Sequence, residues 1–444
     1  MRQVYIETLG CAKNRVDSEI IAGTLLGNGF SLSESPELAE IIIVNTCGFL
    51  ASAVDESIER ILALAELKKS AKCKMLVAAG CMIERYKEPL MEEVPELDAL
   101  IGTSDYTKII VSINNFFEDY KRTTYLAKNP LYSSKNYEAN RVLSTKGYAY
   151  LKIAEGCSNM CSFCNIPKLR GRQISRSMSS ITDEFKKLIG AGIKEINLIS
   201  QDSSSYGYDL SEDCRLITLV RSLLDDIDNE FWLRIFYTYP NRYPLELIDL
   251  MNQDSRLVPY IDFPLQHISD TVLKEMNRKI TRSELERKIF SILGKNPEIA
   301  LRTTLIVGFP NESDKDFMEL LKFIEEGYFQ HLGVFLYSHE DNIRSYGFGD
   351  TVSEVVKKDR YDQLMAAQQT VSLEKSRRMI GQIQKVLVEG RYEETDLLIK
   401  GRNKFQGVEV DGLVLINDGD ANAGDFNQVE ITEAHPYDLI GKVI

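Results

Sequence analysis

Three cysteines stand at C-x-x-x-C-x-x-C spacing: Cys157, Cys161 and Cys164. Thiolates at that spacing can take three irons of a 4Fe-4S cluster and leave the fourth iron open to a small-molecule ligand. A structural zinc site is the competing reading. Zinc wants four ligands, and the four histidines, His267, His331, His339 and His435, are all far away in sequence. A pure electron carrier would call for a fourth local cysteine, and the motif has none. A second set is more dispersed. Cys11, Cys47 and Cys81 each follow a strand-like run, in VYIETLGC, IIIVNTC and LVAAGC. The ends of neighbouring parallel strands share one edge of a sheet, where ligand sites gather, so cysteines 36 and 34 residues apart can converge. The alternative is three buried cysteines filling a core. Cys73, in a lysine-rich loop, and Cys214, in a helical stretch, have no partner nearby and are read as ordinary packing residues.

The elements that must position these groups follow from hydrophobic periodicity. The first stretch gives strands at 4–8, 41–45 and 75–79, with helices near 17–28, 53–68 and 84–91. Such alternation predicts a Rossmann-like, parallel, doubly wound sheet. The pattern decays after Asp119 into a polar segment rich in basic residues and tyrosine, read as a linker. It then restarts with strands at 148–154, 196–200, 232–236, 260–263, 301–307 and 331–336, separated by helices near 182–190, 212–227, 245–251, 282–293 and 314–326. Six strands predict an incomplete (β/α)6 barrel with its chemistry at the C-terminal mouth. A helical stretch at 355–379 leads into QKVLVEGRY, LLIKGRN, DGLVLIND and QVEITEAHPYDLIGKVI, short strands fitting a small antiparallel β-barrel.

Polar groups at the barrel's strand ends are candidate binders. Gln201 and Asp202 follow the second strand, Arg234 and Tyr237 lie on or after the third, Gln266 and His267 follow the fourth, and Arg302 and Thr304 lie on the fifth. Arg302 or Arg234 could pair a ligand carboxylate through its two-pronged guanidinium, with a scaffold salt bridge as the alternative for each. Lys168, Arg170, Arg172 and Arg176 form a basic run expected to be a solvated face.

The whole chain, 444 residues with 44% hydrophobic and 27% charged, has the composition of a soluble multidomain protein. A net charge of −13, from 53 basic and 66 acidic residues, disfavours a protein that coats a polyanion. No apolar run approaches the roughly 18–20 residues needed to span a bilayer, and MRQVYIETLG lacks a secretory pattern, so a cytoplasmic location and reduced cysteines are expected rather than disulfides.

The cysteine motif on a β/α barrel resembles the radical S-adenosylmethionine superfamily, whose members hold the cofactor's amino and carboxylate groups on the open iron. Phe163, before the last cysteine, fits its habit of an aromatic there, and Gly308, Phe309 and Pro310 resemble its cofactor-binding strand end. The expected cofactor-binding set is Phe163, Gln201, Arg234, Arg302, Thr304 and Gly308. TLGCAKNRVDSE, VNTCGF and AAGCMIERY narrow the resemblance to the methylthiotransferases over essentially the whole chain, and the final barrel occupies the place of their TRAM domain. FYTYPNRYP and DFPLQHISD resemble the branch that modifies the twelfth protein of the small ribosomal subunit.

The resemblance implies four domains or segments: residues 1–120 with a second 4Fe-4S cluster on Cys11, Cys47 and Cys81, a linker at 121–145, a radical S-adenosylmethionine core at 146–375, and a TRAM-like barrel at 376–444. It implies two uses of S-adenosylmethionine. One methylates a sulfur held at the N-terminal cluster; the other is cleaved at the barrel cluster to a 5′-deoxyadenosyl radical that takes a hydrogen from an aspartate β-carbon. Flavodoxin or ferredoxin is the implied electron donor. From 381 to 444 six basic residues face twelve acidic ones, which suits a basic ribosomal protein better than RNA. Two alternatives stay open: a transfer-RNA methylthiotransferase acting on an adenosine near the anticodon, and a non-catalytic iron-sulfur electron-transfer protein.

Overall fold

A computed structural model of the chain describes residues 1–104, 106–126 and 141–444. Contacts divide it into two compact units. One comprises Met1–Ser144, Ala154–Met160 and Cys164–Arg176; the other comprises Thr145–Ile153, Cys161–Phe163 and Ser177–Ile444.

The first unit is built on a six-stranded parallel sheet of β1 (Gln3–Thr8), β2 (Ser31–Leu32), β3 (Ile41–Thr46), β4 (Met75–Gly80), β5 (Ala99–Ile101) and β6 (Thr123–Tyr125), in the order β2-β1-β3-β4-β5-β6. The run IIIVNT of β3 is buried throughout because both faces of the strand are covered. Ile42 and Val44 pack with Val54, Ile61 and Leu64 of the helix Ala51–Ala65. Ile41 and Ile43 pack with Ile21 and Leu25 of Ala12–Gly27 and with Ile109, Ile113 and Phe116 of Lys108–Asp119. The three expected strands are present. Three more, β2, β5 and β6, are two or three residues long, too short to show a period, and the expected helix near 84–91 divides into Cys81–Tyr86 and Leu90–Glu93.

The expected linker is also corrected at its edges. Residues 123–125 form β6 and pair with β5, and Arg141 ion-pairs with buried Glu19 at 2.6 Å, which also accepts from the Ser144 hydroxyl at 2.6 Å. Both flanks are therefore tied to the first unit. Residues 127–140 of that expected linker lie outside the described residues.

A two-stranded ladder in the same unit joins β8 (Ala154–Glu155) to β9 (Ile174–Ser175). In the second unit, β7 (Tyr148–Lys152), β10 (Glu195–Ile199) and β11 (Trp232–Ile235) form a parallel sheet in the order β11-β10-β7. A second parallel sheet contains β12 (Tyr260–Gln266), β13 (Ala300–Val307) and β14 (His331–Leu336). A bridge between Leu233 and Leu257 joins the two, giving a six-stranded partial barrel. Along β13, Leu301, Thr303, Leu305 and Val307 are buried while Arg302, Thr304 and Ile306 are half-buried, so these three share one face.

Five strands, β15 (Ile383–Tyr392), β16 (Thr395–Asn403), β17 (Val414–Asp418), β18 (Phe426–Ala434) and β19 (Leu439–Val443), close a small barrel around Val386, Val388, Val414, Ile416, Val429 and Ile431. The last expected run splits into two strands around a turn at 435–438, and β17 pairs with β19 in parallel while the other ladders are antiparallel. This barrel docks against the N-terminal ends of the partial-barrel strands. Trp232, first in β11, meets Phe426 at 4.7 Å between ring centroids. Tyr148, first in β7, donates to Glu409 at 3.0 Å, and Tyr260, first in β12, donates to Asp411 at 2.7 Å.

Candidate functional site

The sheet of the first unit brings the strand ends ahead of its three cysteines into line. Thr8 is level with Asn45, Asn45 with Ala79, and Thr46 with Gly80. Cys11, Cys47 and Cys81 follow at once. Two glycines permit the close approach: a Cβ on Gly10, which has φ +89°, would lie 2.9 Å from Cys47 Cβ, and one on Gly48 would lie 2.7 Å from the Cys81 and Met82 backbone. Asn14 and Asn45 lace the edge together. The Asn14 amide donates to the carbonyls of Leu9 at 2.8 Å and Thr46 at 3.0 Å, and the Asn45 amide donates to the Asn14 carbonyl at 2.8 Å.

The three thiols grade from open to buried: Cys11 is exposed, Cys47 half-buried and Cys81 buried. Burial pushes the Cys81 thiol up to about 12, with the charges of Cys11 and Cys47 adding to the effect and Arg170 opposing it. Burial raises Cys47 too, and Cys11 adds to it. The sulfurs therefore lie within electrostatic reach of one another, although among the described residues no three His, Cys, Asp or Glu side chains stand at metal-ligating distances. The donor chemistry fits an iron-sulfur cluster. Three soft thiols follow neighbouring strand ends at one sheet edge, a cation would displace their protons, and exposed Cys11 leaves one side open.

Arg170 is the residue that sequence reasoning misplaced. The basic run was expected to be solvated, yet Arg170 and Arg176 are each 3% exposed while Lys168 and Arg172 face out. The Arg170 guanidinium donates from Nε to Cys81 Sγ at 3.2 Å and from Nη2 to Asn14 Oδ1 at 2.7 Å. It also pairs with Asp17 and Glu155, each at 3.0 Å. Burial alone would favour losing its proton, but Cys81, Glu155 and Asp17 more than reverse this and keep it charged. No local pattern marks Arg170 in the sequence, because its partners come from residues 14, 17, 81 and 155.

The other cysteine loop follows β7 and β8. Cys157 is buried, and its N–H donates to the Gly171 carbonyl at 3.1 Å; Cys161 and Cys164 are half-buried. Phe163 packs on a cluster of Val272, Met276, Phe309 and Tyr337. The N–H of Ser162 donates to the Met276 carbonyl at 3.0 Å. Arg278, not singled out from sequence, donates to Cys161 Sγ at 3.7 Å while its guanidinium lies 4.0 Å over the Tyr239 ring.

Among the candidate binders, Gln201 is half-buried just past β10, and Gly308 lies past β13 with its N–H on Glu312 Oε2 at 2.5 Å. Thr304 Oγ1 accepts from Arg302 Nη1 at 3.1 Å. Two non-glycine residues past or at strand ends, Tyr237 at φ 58° and Gln266 at φ 73°, hold left-handed backbone, the kind of strain that collects at functional sites. Asp202 and His267 are buried: Asp202 accepts from the Ser205 hydroxyl at 2.5 Å, and His267 Nδ1 accepts from the Ser269 N–H at 3.0 Å.

The two arginines expected to hold a cofactor carboxylate have other partners. Arg234 is fully buried, pairing with Glu195 at 2.8 Å and donating to the Lys404 carbonyl at 3.0 Å. Arg302 pairs with Asp262 at 3.0 Å and Asp411 at 3.3 Å. Lys404 and Asp411 belong to the small barrel, so both guanidiniums serve its docking at the strands' N-terminal ends, away from the strand-end mouth where ligands are bound. Cys73 is packed in the core of the first unit, where burial pushes its thiol up to about 11, as its ordinary packing role predicts.

Three family models match the chain: the uncharacterized protein family UPF0004 at residues 3–102, the radical SAM superfamily at 151–324 and the TRAM domain at 380–444. A protein of Geobacter sulfurreducens described as ribosomal protein uS12 methylthiotransferase RimO is 43% identical over 443 residues, covering 100% of this chain and 98% of that protein. The chain belongs to this methylthiotransferase family. A second family member, from Bdellovibrio bacteriovorus, is 42% identical over 100% of this chain and 98% of its own length. Among solved structures, the radical S-adenosylmethionine methyltransferase TsrM of Kitasatospora setae shares the fold, with a TM-score of 0.55 at 14% identity over 76% of this chain and 72% of that one. Family membership makes the chain a transferase of the radical S-adenosylmethionine class. No described helix is long and apolar enough to cross a membrane.

Proposed function

We propose that this enzyme inserts a methylthio group at the β-carbon of an aspartate in ribosomal protein uS12. The observation that carries this reading is the convergence of Cys11, Cys47 and Cys81 on one sheet edge, in a chain that also holds the Cys157, Cys161 and Cys164 motif. A radical enzyme that only removes hydrogen needs one cluster; placing sulfur on carbon calls for a second site that holds a sulfur atom. When bound, S-adenosylmethionine and two 4Fe-4S clusters would supply a methyl group for that sulfur and a radical able to open an unactivated C–H bond.

The chain's part is positioning. Cys157, Cys161 and Cys164 would hold the barrel cluster, with Phe163 fixing their loop on its apolar seat and Gln201, Thr304 and Gly308 lining the cofactor's side of the mouth. Glu312 accepts from the N–H groups of Gly308 and Phe309 and so sets the strand end. Cys11, Cys47 and Cys81 would hold the second cluster. Residues 1–120, 146–375 and 376–444 serve as the sulfur-holding, radical-generating and substrate-recognising parts, and a flavodoxin or ferredoxin supplies electrons.

Mass spectrometry of uS12 and of bulk transfer RNA, from cells with and without the gene, tests the reading. The expected result is a methylthio mass on one uS12 aspartate that disappears with the gene. A modified adenosine that disappears in its place moves the enzyme to the transfer-RNA reading.

A further inference from the structure

The Arg170 side chain is 2% exposed and its fork is filled. Nη1 is held by Glu155, and Nη2 by Asp17 and Asn14, leaving Nε–H aimed at Cys81 Sγ at 3.2 Å. We infer that Arg170 is a positioning residue for the N-terminal cysteine site, directing the Cys81 sulfur and raising the reduction potential of the cluster bound there. The inference rests on the proposal that Cys11, Cys47 and Cys81 hold a cluster.

Reducing a cluster adds negative charge to its irons and sulfurs. A hydrogen bond to a ligand sulfur stabilises that charge and raises the potential. The effect is strongest where water is excluded, as at buried Cys81. Removing the guanidinium also leaves the carboxylates of Asp17 and Glu155 beside the sulfur without their shared cation, which pushes the potential the same way, downward. Lysine cannot substitute. Its single ammonium can meet the carboxylates, but it has no second donor on a rigid plane to reach the sulfur. Glu155 lies two residues before Cys157 and Arg170 six after Cys164, so the segment that brackets the barrel's cysteine motif also sets the electronics of the N-terminal site.

The test uses the full-length chain with Cys157, Cys161 and Cys164 replaced by alanine, so that one cluster is read alone. Iron content and an EPR-monitored redox titration are compared for Arg170, R170K and R170Q after anaerobic reconstitution. The parent should bind about four irons. Both variants should titrate at more negative potential than the parent, R170Q furthest. If R170Q loses its iron, R170K alone decides, since it keeps the positive charge and lacks only the Nε–H···S bond. An R170K midpoint equal to the parent's overturns the role of Arg170 while leaving the cluster assignment intact. A parent without iron overturns the cluster assignment itself.

Discussion

At the residue scale, the N-terminal site depends on side chains that are missing as much as on those present. Gly48 has no space for a methyl group, because a Cβ there would meet the backbone of Cys81 and Met82 at 2.7 Å. Gly48→Ala should therefore push two cysteine loops apart, costing about 1–3 kcal/mol by overpacking. Urea unfolding should register that loss, and iron per reconstituted chain should drop from about eight towards about four. Restored stability with full iron would mean that the loops can open without consequence. A second residue-level expectation separates the two cysteine sets. Cys11→Ala should abolish methylthio transfer yet leave reductive cleavage of S-adenosylmethionine measurable, since that cleavage is proposed to depend on Cys157, Cys161 and Cys164. Loss of 5′-deoxyadenosine from a variant whose barrel cluster is intact would refute this division of labour.

At the scale of elements, the small barrel is joined to the partial barrel by a buried ion triad. Glu195 of β10 pairs with Arg234 of β11 at 2.8 Å and with Arg402 of β16 at 2.6 Å, and all three side chains are 0% exposed. Burial by itself would raise the Glu195 pKa, but the two guanidiniums outweigh it and hold the carboxyl below its usual range. A carboxyl depressed in this way contributes stability above the unfolded value near 4.5, and this is lost as pH falls through the lower folded value. Glu195→Gln leaves the buried Arg234 guanidinium without its anion and Arg402 with Glu389 alone, and should cost about 3–5 kcal/mol. Denaturation measured from pH 7 down to pH 3 should show that the wild type loses this contribution below about pH 4.5 and the variant has little to lose there. Equal acid sensitivity in both proteins would assign the acid loss to other groups.

Considered as a whole molecule, the chain is acidic at both ends, and its final barrel sets twelve acidic residues against six basic ones from 381 to 444. The hairpin tip between β15 and β16 exposes Glu393, Glu394 and Asp396 beside Leu397, which is 85% exposed. Two other acids of the barrel are already engaged in docking, Glu409 with Tyr148 and Tyr150 and Asp411 with Arg302 and Tyr260, and Glu389 pairs with Arg402 inside the barrel. The tip, where Glu393 pairs only with Lys400 of its own hairpin, is therefore the better candidate for meeting a basic protein. Reversing Glu393, Glu394 and Asp396 to lysine in the full-length enzyme should weaken binding to uS12 several-fold at low salt, with a smaller difference at high salt. Binding assays across ionic strength check this, and stronger binding of uS12 by the reversed protein would remove the tip from recognition.

Much of this was legible in the chain itself, because period and spacing are local properties. The six strands of the partial barrel appear where alternation put them, and the apolar runs before Cys47 and Cys81 announced a sheet covered on both faces. Strands of two or three residues such as β2, β5 and β6 left no trace, since a period needs several repeats to show. For Arg234 and Arg302 the chain offered a scaffold salt bridge only as one of two readings, and for Arg170 it offered a solvated face. A guanidinium is read by its partners, and those of Arg170, Arg234 and Arg302 come from strands and loops tens to hundreds of residues away. Sequence named the cysteines because their chemistry travels with the residue type. Only tertiary structure could decide that Arg170 is buried against Cys81 while Arg172, two residues on, faces water, because burial is a property of what the fold places around a side chain.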